Sequence, residues 1–330
     1  MKRLYGLIGL ILVFLGFAFV KERQQDQQQA AVPTVGILQL VSHPALDAIH
    51  RGIIAGLADE GYQVGKNIKI DFQNAQNDQS NLKTMSARFV NEQASAMIGI
   101  ATPAAQALAN ASTTIPVVLG AITDPEGAHL VKNNQRPGGN VTGVSDQAPL
   151  KAQLKLIQRI MPQMKTLGII YTSSDDSATA QYHQFVKICQ AAGVPLKAYS
   201  IASTNDLNQV AQQMISQVDA IYVPTDNTVA SAMQTLVATA NTAKIPVFPA
   251  VDTMVKAGGL ATLSINQYQL GVATGKMTAK ILKGAVPATT PIHFERKGEL
   301  TLNLSAAKKL GITFPADLIK QAQQDGEVFK

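Results

Sequence analysis

The sequence predicts an α/β protein of two lobes, each built on a parallel sheet. From Thr34 onward, short β-branched runs alternate with stretches of helical periodicity, the pattern of strand–helix–strand units. Two segments, AMIGIATPAAQALANASTTIPVV and AIYVPTDNTVASAMQTLVATANTAKIPVF, share one order of strand, turn, helix and Ile-Pro-Val into a further strand. Finally, 330 residues with 46% hydrophobic and 15% charged content exceed one small core and are too apolar for a disordered chain.

The chain begins with Met1, Lys2 and Arg3, an uncharged apolar run over 4–20, then Lys21, Glu22, Arg23 and a Gln-rich stretch to Ala30. A basic start followed by an apolar run reads as an export segment. No small-x-small cleavage site stands out, and 17 residues are the short limit for spanning a bilayer. Residues 1–30 are therefore a signal peptide or an uncleaved signal anchor with a polar tether. The rest of the chain is expected outside the cytoplasm, attached to the outer face of the membrane or secreted. No cysteine follows the apolar run, so the attachment is not that of a lipoprotein.

Strands are predicted in the first half at 35–40, 68–72, 96–100, 117–119 and 141–144, with helices at 44–60, 79–93 and 103–110. The second half gives strands at 166–171, 196–199, 220–223, 247–249 and 260–264, with helices at 178–192, 205–217 and 228–242. A long helix at 267–283 stops at Gly284.

Several function classes drop out. The net charge of +6 is spread thinly, without the dense basic runs of a nucleic-acid arm. Cys189 is the only cysteine, which excludes an internal disulfide and any cysteine-based zinc or iron–sulfur site; it reads as a small core residue. His43 and His50 are not at a helical i,i+3 or i,i+4 spacing, so no metal is expected. There is no G-x-S-x-G, P-loop or H-E-x-x-H, and no cofactor or catalytic set is expected; the protein reads as a binder and not an enzyme.

Open parallel sheets bind ligands at the carboxyl ends of their strands, and two such sheets facing each other form a cleft. The polar residues that follow each strand are the candidates, each with an ordinary reading as a cap or turn. Gln39 and His43 follow the first strand, where Ser42 suits a helix cap. Thr102 and Pro103 open a helix whose free N–H groups suit a carboxylate. Asp124 and Ser145 end two more strands; acids meeting in one cleft would suit an ammonium. The opposite wall offers Tyr171, Thr225, Asp226, Asn227 and Asp252.

The segments IATPAAQALAN, TDPEGAHLVKNNQRPGGNVTGVSD, DAIYVPTDNTVASA and GGLATLSINQYQLG, in that order, resemble the substrate-binding proteins of ABC importers of the tryptophan/tyrosine type, over about 33–319. The resemblance implies the type I periplasmic-binding-protein fold: two Rossmann-like lobes, a hinge crossed three times, and a ligand closed into the cleft between them. It implies lobe 1 at 33–147 plus 267–290 and lobe 2 at 148–266 plus 291–330. It further implies an aromatic amino acid as ligand, tryptophan first, with Thr102 at its carboxylate, Asp124, Ser145, Thr225, Asp226 and Asn227 at its polar part, and Tyr171 as the aromatic contact. The implied partners are a permease with its ATPase subunits, with the receptor a monomer. An extracellular sensor that signals without transport uses the same fold and is the alternative.

Overall fold

In the computed structural model, described over residues 32–295 and 298–330, strands and helices alternate from the first described strand. The export segment lies outside these residues. Among the described residues no helix is long and apolar enough to cross a membrane.

The first lobe runs β1 (Thr34–Gln39), α1 (Pro44–Asp59), β2 (Lys69–Asn74), α2 (Gln79–Asn91), β3 (Ala96–Ile100), α3 (Thr102–Ala111), β4 (Val117–Gly120) and β5 (Val141–Ser145). The second continues through α4 (Leu150–Ile160), β6 (Leu167–Thr172), α5 (Asp176–Ala191), β7 (Leu196–Ile201), α6 (Leu207–Ile215), β8 (Ala220–Val223), α7 (Asn227–Ser231), α8 (Met233–Thr242), β9 (Val247–Pro249), α9 (Asp252–Lys256) and β10 (Ala261–Ser264). Then come α10 (Gln267–Leu282), β11 (His293–Phe294), β12 (Glu299–Asn303), α11 (Leu304–Leu310), α12 (Ala316–Asp325) and β13 (Glu327–Phe329).

The first sheet is six-stranded and parallel, ordered β11-β5-β4-β3-β1-β2. Its inner strands are covered on both faces, which is why β3 and β4 are apolar throughout instead of alternating. The second sheet is parallel in the order β7-β6-β8-β9. The expected strand at 260–264 forms but leaves this parallel set: β10 pairs antiparallel with β12, and β13 completes a separate three-stranded sheet. The expected helix at 228–242 divides at Ala232, where α7 ends and α8 begins.

Two apolar cores follow the sheets. One surrounds Val35, Ile37, Ile98 and Leu119 and takes in Leu270, Ala279 and Ile292; the other joins Ile169, Phe185, Tyr222 and Phe248 to Leu300, Leu302 and Leu318. Burying each such aliphatic side chain contributes about 1.5–3 kcal/mol. The chain passes between these bodies after β5, between β10 and α10, and between β11 and β12. The third passage corrects the expected boundary at 290/291: His293 and Phe294 pair with Val144 and Ser145 of the first sheet, so the chain leaves that lobe only after Phe294.

Helices α1 and α10 touch backbone to backbone. A Cβ on Gly52 would lie 2.1 Å from the Tyr268 carbonyl oxygen, and one on Gly271 would lie 2.1 Å from that of Ile49. Glycine is required there by close approach, and the contact fixes the helix that brings His43, Leu46 and Ile49 to the cleft.

Candidate functional site

Between the lobes lies an enclosed space whose wall includes His43, Thr102, Thr123, Asp146, Ser177, Thr225, Asp226, Asn227 and Gln267 on its polar side. Ala45, Leu46, Ile49, Ala101, Ala121, Ala230, Val251 and Met254 form its apolar side. The lobes meet across it. Thr102 Oγ1 and Ser177 Oγ are 2.8 Å apart, and His43 Nε2 donates to Asn227 Oδ1 at 3.1 Å. Ala45, on the first helix, packs into the second lobe's core. This is a closed cleft.

On the first lobe the wall is made by strand ends. Ala101 and Ala121, directly after β3 and β4, have φ of +76° and +63°, the left-handed region that disfavours a Cβ. The turn at Ala101 starts α3 with no side-chain cap, leaving the first amides of this ten-residue helix without a side-chain acceptor. Gly99 permits it, since a Cβ there would come within 2.5 Å of Ala105 Cα. Asp146, one residue past β5, accepts from Thr123 Oγ1 at 2.9 Å. Burial pushes its carboxyl up to about 7, against that hydrogen bond.

On the second lobe the wall is made by helix caps. Asp226 accepts from Val229 N at 2.9 Å, Thr172 N at 2.6 Å and Thr172 Oγ1 at 3.0 Å. Burial and the nearby Asp175 raise it to about 6. Asp175 caps α5 through Ala178 N at 3.0 Å and accepts from Asn227 Nδ2 at 3.3 Å; burial raises it too. Burial lowers the pKa of His43, outweighing its Asn227 bond and the charge of Asp47. With Nε2 donating, the neutral ring leaves Nδ1 as a buried acceptor without a protein partner.

Of the residues expected at the site, the structure brings His43, Thr102, Thr225, Asp226 and Asn227 together on this wall. Gln39 is fully buried at the end of β1, where it donates to Val41 O and Asp47 Oδ1 instead of reaching the cavity. Pro103 faces the outer groove between α2 and α3. Asp124 caps its own turn at Gly127 N and lines a neighbouring hollow at the cleft mouth. The Ser145 hydroxyl bonds back to Thr123 O at 3.4 Å. Tyr171 stacks on Tyr182 with ring centroids 4.4 Å apart, away from the cavity wall. Asp252 starts α9 between the lining residues Val251 and Met254 and is itself off the wall. Thr123, Asp146, Ser177 and Gln267 line the cavity without having been singled out.

The family of ABC transporter substrate-binding proteins matches residues 34–325. The chain belongs to this family. A relative from Clostridioides difficile, described as a tyrosine-binding protein, is 35% identical over 292 residues, covering 88% of this chain and 85% of that protein. The crystal structure of a Streptococcus pneumonia ABC domain in complex with L-Trp is 45% identical, covers 91% of this chain and all of that one, and superposes with a TM-score of 0.87. The ligand-free, open structure of a substrate-binding protein with adhesive properties from Clostridium difficile is 35% identical over 91% of this chain and 99% of its own, with a TM-score of 0.71. The fold is that of type I periplasmic binding proteins. Substrate-binding proteins of ABC transporters are extracytoplasmic, and this member has the closed interlobe cleft such proteins use. Among its described residues no cluster of metal ligands occurs.

Proposed function

We propose that this substrate-binding protein is the receptor of an ABC importer and encloses an aromatic L-amino acid, tryptophan in preference to tyrosine. One observation carries the reading: a single enclosed space joins an open helix N-terminus, buried carboxyls with no cation beside them, and an aliphatic wall. An α-amino acid presents a carboxylate, an ammonium and a side chain from one carbon, and each finds its complement. The carboxylate belongs at the α3 N-terminus with Thr102. The ammonium belongs by Asp146 and Asp226, where exclusion of water strengthens the attraction.

The ring belongs against Leu46, Ile49, Ala230, Val251 and Met254, with Met254 adding a sulfur–aromatic contact. No tyrosine or phenylalanine lines the space, so stacking on Tyr171 is replaced by aliphatic packing. The unpaired His43 Nδ1 is an acceptor available to a ligand N–H or O–H. The two relatives with tyrosine and L-Trp support the ligand class. Contacts to both lobes at once drive hinge closure, and the closed form is what a permease with its ATPase subunits would receive. The segment at 4–20 would keep the receptor at the membrane.

The chain has no tryptophan, so indole emission reports ligand alone. Titrating residues 32–330, stripped of bound ligand, with L-tryptophan should give a saturable blue shift, reversed by L-tyrosine at higher concentration. A folded, stripped sample that shifts with neither, and whose melting temperature neither raises, sinks the proposal. Tyrosine binding more tightly than tryptophan reverses only the order of preference.

A further inference from the structure

We propose that Asp146 makes closure of the lobes conditional on a cation in the cleft, the ligand's ammonium when one is bound and a proton when none is. The proposal rests on the amino-acid reading above and adds a rule for the empty protein.

The geometry is that of a charge trap. Closure shuts Asp146 away from solvent. From the second lobe the charge of Asp175, at the start of α5 and bonded to Asn227, acts on it, and Asp226 at the start of α7 lines the same space. Asp176 next to Asp175 is exposed at the cleft mouth, where the half-buried Asp124 of the first lobe also lies. From α1 comes His43, held neutral by burial, with Asp47 behind it bound to Gln39 and Ser42. From α10 comes the neutral Gln267. No lysine or arginine lines the cavity. Every formal charge around Asp146 is therefore negative.

The acids differ in how their oxygens are held. Asp226 receives three hydrogen bonds and Asp175 is bound by backbone amides and Asn227, whereas Asp146 has the Thr123 hydroxyl and its own backbone amide. A buried carboxylate with so few donors among other acids is costly as an anion. Burial accordingly lifts Asp146 to about 7 in the closed form, above the value of about 6 for Asp226. Closing an empty cleft near neutral pH must then take up a proton or enclose an unpaired charge. An entering ammonium removes that requirement: in an open receptor it meets a carboxylate already ionised, and in an empty receptor that has closed by taking up a proton the Asp146 O–H bond breaks, the proton passes to water, and the carboxylate keeps the electron pair and faces the ammonium. The sign follows. A carboxyl whose pKa is higher in the closed state favours closure at low pH, and that contribution is lost as pH rises through about 7. At neutral pH the device holds the empty receptor open.

Two readouts test this. The first needs no ligand: small-angle scattering of stripped protein between pH 5 and pH 8 should show the compact form at the acid end and the extended one at the other. Asp146→Asn should be compact at both. Thr123→Val, which removes the donor that lowers the Asp146 pKa, should shift the transition to higher pH. The second is calorimetry of L-tryptophan and L-tyrosine near pH 6.5 in buffers of different ionisation heat. It should show proton release from the fraction of empty receptor that is closed and protonated, growing toward pH 5.5 and absent at pH 8, and lost in Asp146→Asn along with about tenfold or more of the affinity. Asp146→Asn should also bind the des-amino analogue indole-3-propionate better relative to L-tryptophan than the parent does.

A ligand-free shape that ignores pH in the parent and in Thr123→Val overturns the proposal, as does an unchanged proton count in a folded Asp146→Asn. If neither amino acid binds, the functional reading falls on the calorimetry while the scattering still decides the proton rule.

Discussion

The two walls of the cleft are built differently. On the first lobe the polar groups hang on strand ends: Ala101, Ala121, Thr123 and Asp146 each follow a strand of one parallel sheet, and two of them hold a left-handed backbone. On the second lobe they are helix caps. Asp175 and Asp226 each hold a helix start through a backbone amide, and Asp226 also ties Thr172 of β6. One wall carries its cavity-lining carboxyl at little structural cost to itself, whereas the other uses its carboxylates to hold its own fold. Substitutions on the two sides should therefore fail in different ways.

The largest effect should come from Asp226→Ala. It removes a cap and strands the buried amide and hydroxyl of Thr172, so urea denaturation should show a loss of about 3 kcal/mol. Asp146→Asn should change stability by less than about 1 kcal/mol, because it removes a poorly solvated charge and keeps an acceptor for Thr123. Equal losses at the two positions would end the distinction between the walls.

The pH profile is next in size. Asp146 and Asp226 ionise near 7 and 6 in the folded protein, above the ordinary 3.8 of an aspartate. The folded state thus binds more protons over that interval. The stability from these groups is complete below about pH 4 and is lost as pH rises through 6 and 7. The exposed Glu60 and Asp317, pulled down by Lys283 and Arg159, act below this window; His43 and His50, lowered by burial, oppose the trend as pH rises through about 6.5, while Asp175 and Asp252, raised by burial, add to it and leave the carboxyls dominant. The melting temperature of stripped protein should fall by several degrees from pH 5 to pH 8. Asp146→Asn should flatten the upper part of that fall and Asp226→Asn the lower.

The same contrast explains what could be read from the sequence. Every expected strand forms, because buried β-branched runs between turns carry their own signal. What the sequence leaves open is the side of the strand. At the ends of β4 and β5 the expected residues were Asp124 and Ser145, whereas Thr123 and Asp146 line the cavity. Successive side chains point to opposite faces, so a shift of one residue exchanges a cavity-lining side chain for a turn cap, and only the sheet's orientation against the other lobe resolves it. Tyr171 went the same way, to a face covered by Tyr182. The second lobe's caps were easier, since Thr225, Asp226 and Asn227 precede a helix whichever way the strand turns. Pairing of β12 with β10 depends on residues nearly forty positions apart and has no local signature.

A smaller effect should come from the bond that joins the walls. Thr102→Val and Ser177→Ala each remove the same 2.8 Å contact while leaving the lobes intact. Ser177→Ala should weaken L-tryptophan by about 1 kcal/mol, roughly fivefold, and Thr102→Val by more, because Thr102 also faces the ligand carboxylate. The double variant should be little worse than Thr102→Val alone, since the two residues share one interaction. Additive losses would mean that Ser177 binds the ligand separately, and the lobes would then be joined through the ligand instead of by this contact.

The smallest effect concerns the strained alanines, a feature of the first wall alone, since none of the second lobe's lining residues has a positive φ. Glycine at Ala101 or Ala121 relieves a left-handed Cβ, worth about 1 kcal/mol, but frees the unfolded chain by about the same amount. Stability should therefore move by less than about 0.5 kcal/mol. Affinity should still fall, by about a factor of two to three, because the methyls form part of the cavity wall and the turn at Ala101 aims the α3 amides. Denaturation and titration on the same samples separate the two quantities. If glycine raises stability by 1 kcal/mol or more and leaves affinity alone, the strain belongs to the sheet and has no part in holding the ligand.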